Sequence, residues 1–266
     1  MIEIANYVKA GSLEEAYALN QKKGNAVIGG MLWLKMQKKR VGTAIDLSGL
    51  GLDTIEETPE EFRIGAMVTL RQIERHEGLN KMTCGAAKDS VKHIVGVQFR
   101  NLATVGGSLF GRYGFSDVLT FFMAAGAKAE LYHKGIVTLE EFAKMPYDRD
   151  ILVRVIVPKE KAATVYLSQR NTQTDFPVLT CCISKTESEI RCVIGARPMP
   201  AFCLRDEKGI LSGGITQESA KAFGDYVKAN TVTGSNMRGS GEYRSILAGV
   251  LTKRALLAIA EMEGGK

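Results

Sequence analysis

The stretch Arg100-Asn-Leu-Ala-Thr-Val-Gly-Gly-Ser108 joins two adjacent glycines to the polar side chains of Asn101, Thr104 and Ser108. A second glycine pair closes the earlier stretch Ala26-Val-Ile-Gly-Gly30, where it follows a short apolar run. Glycine lets a backbone approach a ligand closely because it carries no Cβ atom. Backbone N–H groups at such positions bind anions, and the N-terminus of a following helix favours negative charge. Together the two segments predict a cradle that holds a diphosphate from both sides.

Neither glycine pair belongs to a standard nucleotide-binding motif. The Gly-Lys-Ser/Thr ending of a Walker A loop follows neither pair, and neither pair lies in a GxGxxG fingerprint. The sequence therefore gives no support to a P-loop or to a Rossmann dinucleotide fold. Taken alone, each pair is also compatible with a purely structural turn or bulge, where Gly-Gly is common.

The region around the first glycine pair is predicted to mix strands and helices. Ala26–Ile28 predicts a strand, Met31–Lys39 a helix and Thr43–Asp46 a second strand. This β-α-β order indicates a small α/β layer near the N-terminus. Asp53–Met67 is typical of a hairpin with a proline at its turn.

The segment around the second glycine pair is predicted to be largely helical. Residues 79–95 predict a single helix, Gln98–Ser108 a glycine-containing loop, and Phe115–Ala125 a further capped helix. Ile151–Val157 is rich in β-branched residues and predicts a strand.

A domain boundary is predicted at the polar break Lys159-Glu-Lys161. Beyond it, three consecutive strands precede two consecutive helices, a pattern that favours a separate α+β domain with a three-stranded antiparallel sheet. We therefore predict one domain over residues 1–160 and another over 161–266, and an α+β class for the whole chain.

The composition is that of a soluble globular protein, with 45% hydrophobic and 24% charged residues. No apolar run approaches the ~20 residues of a transmembrane helix, and the first residues lack the pattern of a secretion signal. We therefore expect a cytoplasmic protein without membrane insertion. The net charge of +6 does not indicate nucleic-acid binding, since aromatic residues do not interleave with the basic ones.

The five cysteines give no sign of a metal or disulfide framework. They form no CxxC pair, and Cys181 and Cys182 are neighbours on a predicted strand, where their side chains point to opposite faces. We expect no metal site and no iron–sulfur cluster in this chain. No triad or paired carboxylates suggest a catalytic side chain either.

The order of four stretches resembles the FAD-binding, or medium, subunit of molybdopterin dehydrogenases such as xanthine and carbon monoxide dehydrogenase. The stretches are Ala26-Val-Ile-Gly-Gly30, Phe62-Arg-Ile-Gly-Ala66 with Thr69-Leu70, Gln98–Ser108, and Asp117. Farther along, Gly239–Leu251 resembles the C-terminal helix signature of the family. The resemblance implies a p-cresol methylhydroxylase-like FAD-binding fold with two small α/β subdomains. It also implies that residues 161–266 form the C-terminal domain of carbon monoxide dehydrogenase flavoproteins.

By this resemblance, the cofactor is FAD, bound non-covalently because neither glycine segment contains a histidine or cysteine. The residues implied to bind it are Ala26, Val27, Ile28, Gly29, Gly30, Met31, Leu32, Asn101, Thr104, Val105, Gly106, Gly107, Ser108, Asp117, Ile151 and Leu152. We expect Gly106 and Gly107 to be the positions most sensitive for cofactor binding.

The resemblance also implies partners. In this family a large subunit carries molybdopterin and a small subunit carries two [2Fe-2S] clusters, from which electrons pass to FAD and usually to NAD+. The chain departs from the family at Met31, where members often carry Thr, Ser or Gln, and in Tyr113-Gly-Phe-Ser-Asp117, where many read Pro-x-Ala-Asp. The loss of a side-chain donor at Met31 leaves an alternative, a non-catalytic scaffold subunit with a degenerate FAD site.

Overall fold

The computed structural model describes residues 2–264 and contains three sheets with helices packed on them. The strands are β1 Glu3–Lys9, β2 Ala26–Ile28, β3 Arg40–Asp46, β4 Ile55–Glu57, β5 Glu61–Gly65, β6 Lys128–Leu131, β7 Gly135–Thr138, β8 Leu152–Pro158, β9 Ala163–Arg170, β10 Pro177–Lys185, β11 Ile190–Gly195 and β12 Phe202–Arg205. The helices are α1 Leu13–Asn20, α2 Leu70–Arg75, α3 Glu77–Met82, α4 Ala86–Val91, α5 Val97–Arg100, α6 Val105–Phe110, α7 Asp117–Ala124, α8 Leu139–Lys144, α9 Gln217–Asn230 and α10 Gly241–Gly264.

Each sheet has its own topology. The first is parallel, in the order β1-β3-β2, and α1 packs on it. Its strands β2 and β3 are the two strands that the sequence predicts around the first glycine pair. The second is antiparallel, in the order β4-β5-β8-β6-β7, and the third is antiparallel, in the order β12-β11-β10-β9. The predicted hairpin is confirmed as β4 and β5, with Ile55 opposite Ile64.

Three apolar clusters form the core of the chain. A small cluster around Ile45 and Leu52 lies under the first sheet, and a large one around Phe121 and Phe122 fills the space below the second sheet. A third cluster, which includes Phe223, joins α9 and α10 to the third sheet. The large cluster also contains Tyr166 and other side chains beyond residue 160, so the two parts of the chain share buried apolar contacts.

The predicted helix over Met31–Lys39 is wrong. Only Leu34–Met36 forms a single 3-10 turn, because Met31 has a φ of +61° and Gln37 is extended. A residue with positive φ cannot belong to a right-handed helix. The basic end of the segment instead joins a strand, since Arg40 pairs with Glu3 of β1.

The prediction of one helix over residues 79–95 is also wrong. The chain breaks at Cys84 and Gly85, which have φ values of +51° and +86°, and α3 and α4 lie on either side. The Gly85 N–H donates to Asn80 O at 2.8 Å and closes α3, a glycine-dependent helix ending.

Two further corrections concern the second glycine pair and the third sheet. Gln98–Ser108 is not a loop, because α5 and α6 occupy most of it and Thr104 caps α6. The C-terminal sheet has four strands, not three, since Phe202–Arg205 pairs with β11. This short strand follows Pro198 and Pro200, and prolines in a sequence indicate a turn or a loop rather than a strand.

All five cysteines are free thiols, and Cys181 and Cys182 are buried in β10. Within residues 2–264, no helix is both long and apolar enough to cross a bilayer.

Candidate functional site

A cavity of about 700 Å³ lies between the two glycine segments. Its walls come from the end of β2 and the turn after it, the N-terminus of α6, the start of α7, the segment before β8, and the connection between β9 and β10. The cavity is therefore assembled from several stretches, which lie between residue 20 and residue 177 of the sequence.

The structure brings nearly all the predicted site residues to this cavity. Those that line it are Ala26, Val27, Ile28, Gly29, Gly30, Met31, Leu32, Thr104, Gly106, Gly107, Ser108, Asp117, Ile151 and Leu152. The two that do not are Asn101, which is exposed, and Val105, which is fully buried in the core. Asn101 lies in the turn between α5 and α6.

The two glycine segments touch each other through the first pair. A Cβ atom added at Gly30 would lie 1.8 Å from the carbonyl oxygen of Leu102, and one at Gly29 would lie 2.7 Å from Oγ1 of Thr104. Since real Cβ contacts do not fall below 3.0 Å, only glycine at position 30 allows this backbone approach.

The turn after β2, residues 29–33, forms part of the cavity wall. Within residues 2–264, the N–H groups of residues 29–33 have no hydrogen-bond acceptor, and all five residues line the cavity. Unpartnered N–H groups in a partly buried segment require solvent or a ligand. Met31 adopts a left-handed φ of +61° in the same turn, a conformation that is uncommon for a non-glycine residue and is enriched at functional sites.

The second glycine pair has its donors already engaged. Gly106 N–H donates to Ala66 O at 2.8 Å, and Gly107 N–H donates to Oγ1 of Thr104 at 3.1 Å. Ser108 N–H and its hydroxyl both donate to Thr104 O. This segment therefore offers the Thr104 hydroxyl to the cavity more readily than backbone N–H groups. The Thr104 hydroxyl hydrogen has no acceptor within residues 2–264, where Thr104 Oγ1 accepts from Gly107 N–H.

Asp117 is buried and holds an ion pair across the cavity floor. Tyr166 Oη and Arg170 Nη2 both donate to Asp117 Oδ1. Burial raises the pKa of Asp117 from 3.8 to about 6, although the charge of Arg170 and the hydrogen bonds act in the opposite direction. Because α7 carries Asp117 and β9 carries Arg170, this pair ties the two parts of the chain together.

An aromatic group lines another part of the cavity. Trp33, Phe99, Phe115 and Phe176 surround one another, with ring centroids 4.5 Å apart for Phe115 and Phe176 and 5.4 Å apart for Trp33 and Phe176. Tyr113 stacks on Phe115 at 5.1 Å. Sequence reasoning missed these residues, because they are scattered over 144 positions and show no local pattern.

Charged side chains on the cavity wall were also missed. Lys39, Arg149 and Arg170 line the cavity, and only Arg170 has a carboxylate partner within residues 2–264. Asp150, next to the predicted Ile151 and Leu152, is buried and accepts N–H groups of His133 and Lys134 at 2.9 and 3.0 Å. Its charge is therefore satisfied by the turn between β6 and β7. No group of three or more His, Cys, Asp or Glu residues that could hold a metal ion occurs in the described part of the chain.

Comparisons with known proteins place the chain in a family. The family described as the FAD-binding domain in molybdopterin dehydrogenase matches residues 2–160, which is more than half of the chain. The chain belongs to this family. The expected family, the oxidoreductase class and FAD as the cofactor of the domain are thereby confirmed.

Relatives of this FAD-binding family match over nearly their whole length. A xanthine dehydrogenase FAD-binding subunit of Escherichia coli O157:H7 is 24% identical over 293 residues, covering 100% of this chain and 99% of that one. The glyceraldehyde dehydrogenase medium chain of Sulfolobus acidocaldarius is 24% identical over 276 residues, covering 96% and 98%. A carbon monoxide dehydrogenase from Oligotropha carboxidovorans superimposes with a TM-score of 0.85 at 21% identity, covering 98% of both chains. The expected fold is confirmed by this structural likeness.

The cavity of this FAD-binding protein suits its cofactor in three respects. Its volume lies within the roughly 300–1,000 Å³ that is usual for cofactor sites. The N–H groups of residues 29–33 and the cations Lys39 and Arg149 suit a pyrophosphate. The aromatic group suits a large planar ring system.

Proposed function

We propose that this chain is the FAD-binding, electron-carrying subunit of a molybdenum hydroxylase of the xanthine dehydrogenase type. In this proposal a partner with [2Fe-2S] clusters delivers electrons, and a large molybdopterin-binding partner oxidises the substrate. The family match and the names of the relatives support the assignment. The observation that carries it is the turn at residues 29–33. These residues line a cavity of cofactor size, and their N–H groups have no acceptor within residues 2–264.

The residues of the chain have distinct roles in this proposal. The N–H groups of residues 29–33 bind the FAD pyrophosphate, and the Thr104 hydroxyl donates from the opposite side. The aromatic group around Trp33 and Phe176 packs against the flat part of the cofactor and keeps water away. Asp117 and Arg170 fix the floor of the cavity. All sixteen residues predicted from the sequence remain candidates, with Asn101 and Val105 the weakest because they do not line the cavity.

The chemistry that FAD supplies when bound is to accept electrons one at a time and to release them as a pair. The chain therefore needs to bind and orient the cofactor and needs no acid or base of its own. We propose NAD+ as the final acceptor, which the resemblance supports. We also retain two expectations: domains over residues 1–160 and 161–266, and a cytoplasmic location.

A second candidate function is a scaffold subunit that no longer binds FAD. Met31 favours it, because the thioether at this position replaces the hydroxyl or amide donor that the family often carries. Met31 nevertheless lines the cavity, and its backbone N–H has no acceptor within residues 2–264. That donor favours the FAD-binding subunit over the scaffold.

The absorbance spectrum of the purified chain separates the two functions. An FAD-binding subunit should show flavin bands near about 370 and 450 nm, and acid precipitation should release the yellow colour into the supernatant. The pure chain should not hydroxylate purines or aldehydes. A colourless chain that also fails to bind added FAD would favour the scaffold, and hydroxylation by the chain alone would overturn the subunit assignment.

A further inference from the structure

Arg149 makes an unusual set of contacts at the edge of the cavity. Its Nη1 donates to Asn20 O at 2.6 Å and to Asn25 O at 3.3 Å, and its Nη2 donates to Lys23 O at 2.6 Å. In return, the carbonyl oxygen of Arg149 accepts from Asn20 Nδ2 at 2.8 Å and from Gln21 Nε2 at 3.0 Å. One residue therefore binds a single turn of distant backbone through both its side chain and its main chain.

The backbone that Arg149 holds leads directly into the first glycine pair. Asn20 ends α1, and the turn from Gln21 to Asn25 connects it to β2 and so to Gly29 and Gly30. The C-terminal carbonyls of a helix carry partial negative charge and lack partners within the helix. Arg149 satisfies one of them, Asn20 O, and fixes the direction in which the chain enters β2.

The charge of Arg149 has no carboxylate to neutralise it. Within residues 2–264, no Asp or Glu oxygen lies within 4.0 Å of the guanidinium, which is bound to carbonyl oxygens alone. The adjacent acids serve other groups, since Asp148 pairs with Lys134 and Asp150 accepts backbone N–H groups. Arg149 itself lines the cavity, together with Asn20 and Asn25.

We propose that Arg149 is a positioning residue for the cofactor site. Through the carbonyls of residues 20–25 it holds the first glycine pair beside Leu102, and through its unneutralised charge it favours the anionic pyrophosphate over neutral ligands. This inference rests on the proposed function, because it assumes that the cavity binds FAD. It adds a residue that lies outside both glycine segments and that no motif of the sequence marks.

The test uses the full-length chain freed of flavin and titrated with FAD. Arg149→Met keeps a long apolar stem but removes the charge and the hydrogen bonds. Arg149→Lys keeps the charge but cannot reach three carbonyls at once. Arg75→Met is the matched control, since Arg75 is exposed on α2 and does not line the cavity. Circular dichroism and melting temperature report whether each variant is folded.

Dissociation constants for FAD are measured at low and high ionic strength, about 0.01 M and about 1 M. We expect Arg149→Met to weaken binding about 10- to 100-fold at low salt, the loss of one charge-assisted contact, and to flatten the salt dependence. Arg149→Lys should keep the salt dependence and lose less affinity, while Arg75→Met should match the wild type.

The salt dependence separates positioning by charge from a purely structural role. The inference is overturned if folded Arg149→Met binds FAD with a dissociation constant within about twofold of the wild-type value. It is also overturned if the variant binds FAD more weakly but keeps the full salt dependence of the wild type. If Arg149→Met does not fold, the FAD affinity of Arg149→Lys tests the inference instead. A purely structural role predicts that Arg149→Lys loses as much FAD affinity as any other substitution at this position. A wild-type chain that binds no FAD would overturn the proposed function itself, and this inference with it.

Discussion

Two Gly-Gly pairs face the same cavity, yet they differ in what their backbones do. The N–H groups at and after Gly29 and Gly30 have no acceptor within residues 2–264, whereas those of Gly106 and Gly107 donate to Ala66 and Thr104. The first pair ends a strand and enters an irregular turn, while the second lies inside the first turn of α6. The N–H groups at the first Gly-Gly pair thus have no acceptor within residues 2–264, whereas the second pair allows α6 to pack closely against Ala66.

This difference changes how the site is interpreted. Residues 29–33 supply the open backbone donors of the proposed phosphate site, and the second segment supplies the hydroxyl of Thr104 and a rigid wall. Gly106 serves packing, since a Cβ there would lie 2.7 Å from Ala66 O and 2.8 Å from Ala66 Cβ. Four experiments challenge this division between a binding turn and a packed wall.

The largest effect should come from Gly30→Ala. The added Cβ would lie 1.8 Å from Leu102 O, so the turn must move away from the second segment. Losing one or two charge-assisted N–H contacts, at about 1.5–3 kcal/mol each, should weaken FAD binding by about 100-fold or more. The flavin-to-protein ratio of the purified variant and a fluorescence titration with FAD measure this loss of affinity.

Gly213→Ala is the control for this substitution. Apart from its chain neighbours, no atom of the described residues 2–264 lies within 4 Å of a Cβ at that position. This control variant should keep its flavin. Full FAD binding by a folded Gly30→Ala variant would remove the first pair from the proposed site.

Gly106→Ala should act on stability more than on binding. The contact with Ala66 overpacks the junction of α6 and β5, which should lower the free energy of unfolding by about 1–3 kcal/mol. Urea unfolding measures the loss, and an FAD titration of the folded protein should change far less than for Gly30→Ala. A large loss of affinity with unchanged stability would reverse the roles of the two pairs.

The buried ion pair between Asp117 and Arg170 should make the free energy of unfolding depend on pH. Folding raises the pKa of Asp117 from 3.8 to about 6, so between these values the folded chain binds the proton and the unfolded chain has released it. The contribution of this group to stability is therefore present below pH 3.8 and is lost as pH rises to 6. Its slope is on the order of −1.4 kcal/mol per pH unit.

Asp117→Asn should remove this component of the pH dependence. Urea unfolding of both proteins at several pH values between 3.8 and about 6 isolates this component as a difference in slope. Parallel curves for the two proteins would mean that Asp117 titrates at the same pH in the folded and unfolded chains.

The smallest expected effect is that of Thr104→Val. It removes the cap acceptor of Gly107 N–H, which should cost about 1 kcal/mol of stability. Thr138→Val is a matched control, because Thr138 caps α8 in the same way but does not line the cavity. Both variants should lose similar stability in thermal melts, while only Thr104→Val should also weaken FAD binding, by about tenfold. Equal FAD affinity in the two variants would show that the Thr104 hydroxyl serves the helix alone.

Local signals in the sequence predicted many elements correctly. The predicted helix over Phe115–Ala125 is α7, and the predicted strand over Ile151–Val157 is β8. Prediction failed where a single backbone angle decided the outcome, as at Met31 and Cys84 with their positive φ values. Nothing in a methionine or a cysteine marks such a conformation, since tertiary contacts impose it.

The sequence also does not show which glycine is the most sensitive to substitution. The sequence favours Gly106 and Gly107 as the most sensitive positions for FAD binding, and that expectation stays a prediction. Contact distances instead put Gly30 first, because its neighbour is rigid backbone, whereas a Cβ at Gly107 would meet only Thr104 Oγ1 at 3.1 Å.

The sequence by itself determined the family, the FAD cofactor and the two glycine segments that line the cavity, because these depend on short motifs in a fixed order. Only the tertiary structure decided which N–H groups are open, which aromatic side chains meet, and that Arg149 reaches the turn before β2 from 129 positions away. Hydrogen bonds and ring contacts between distant segments depend on the relative placement of sheets and helices, and no local pattern of residues encodes that placement.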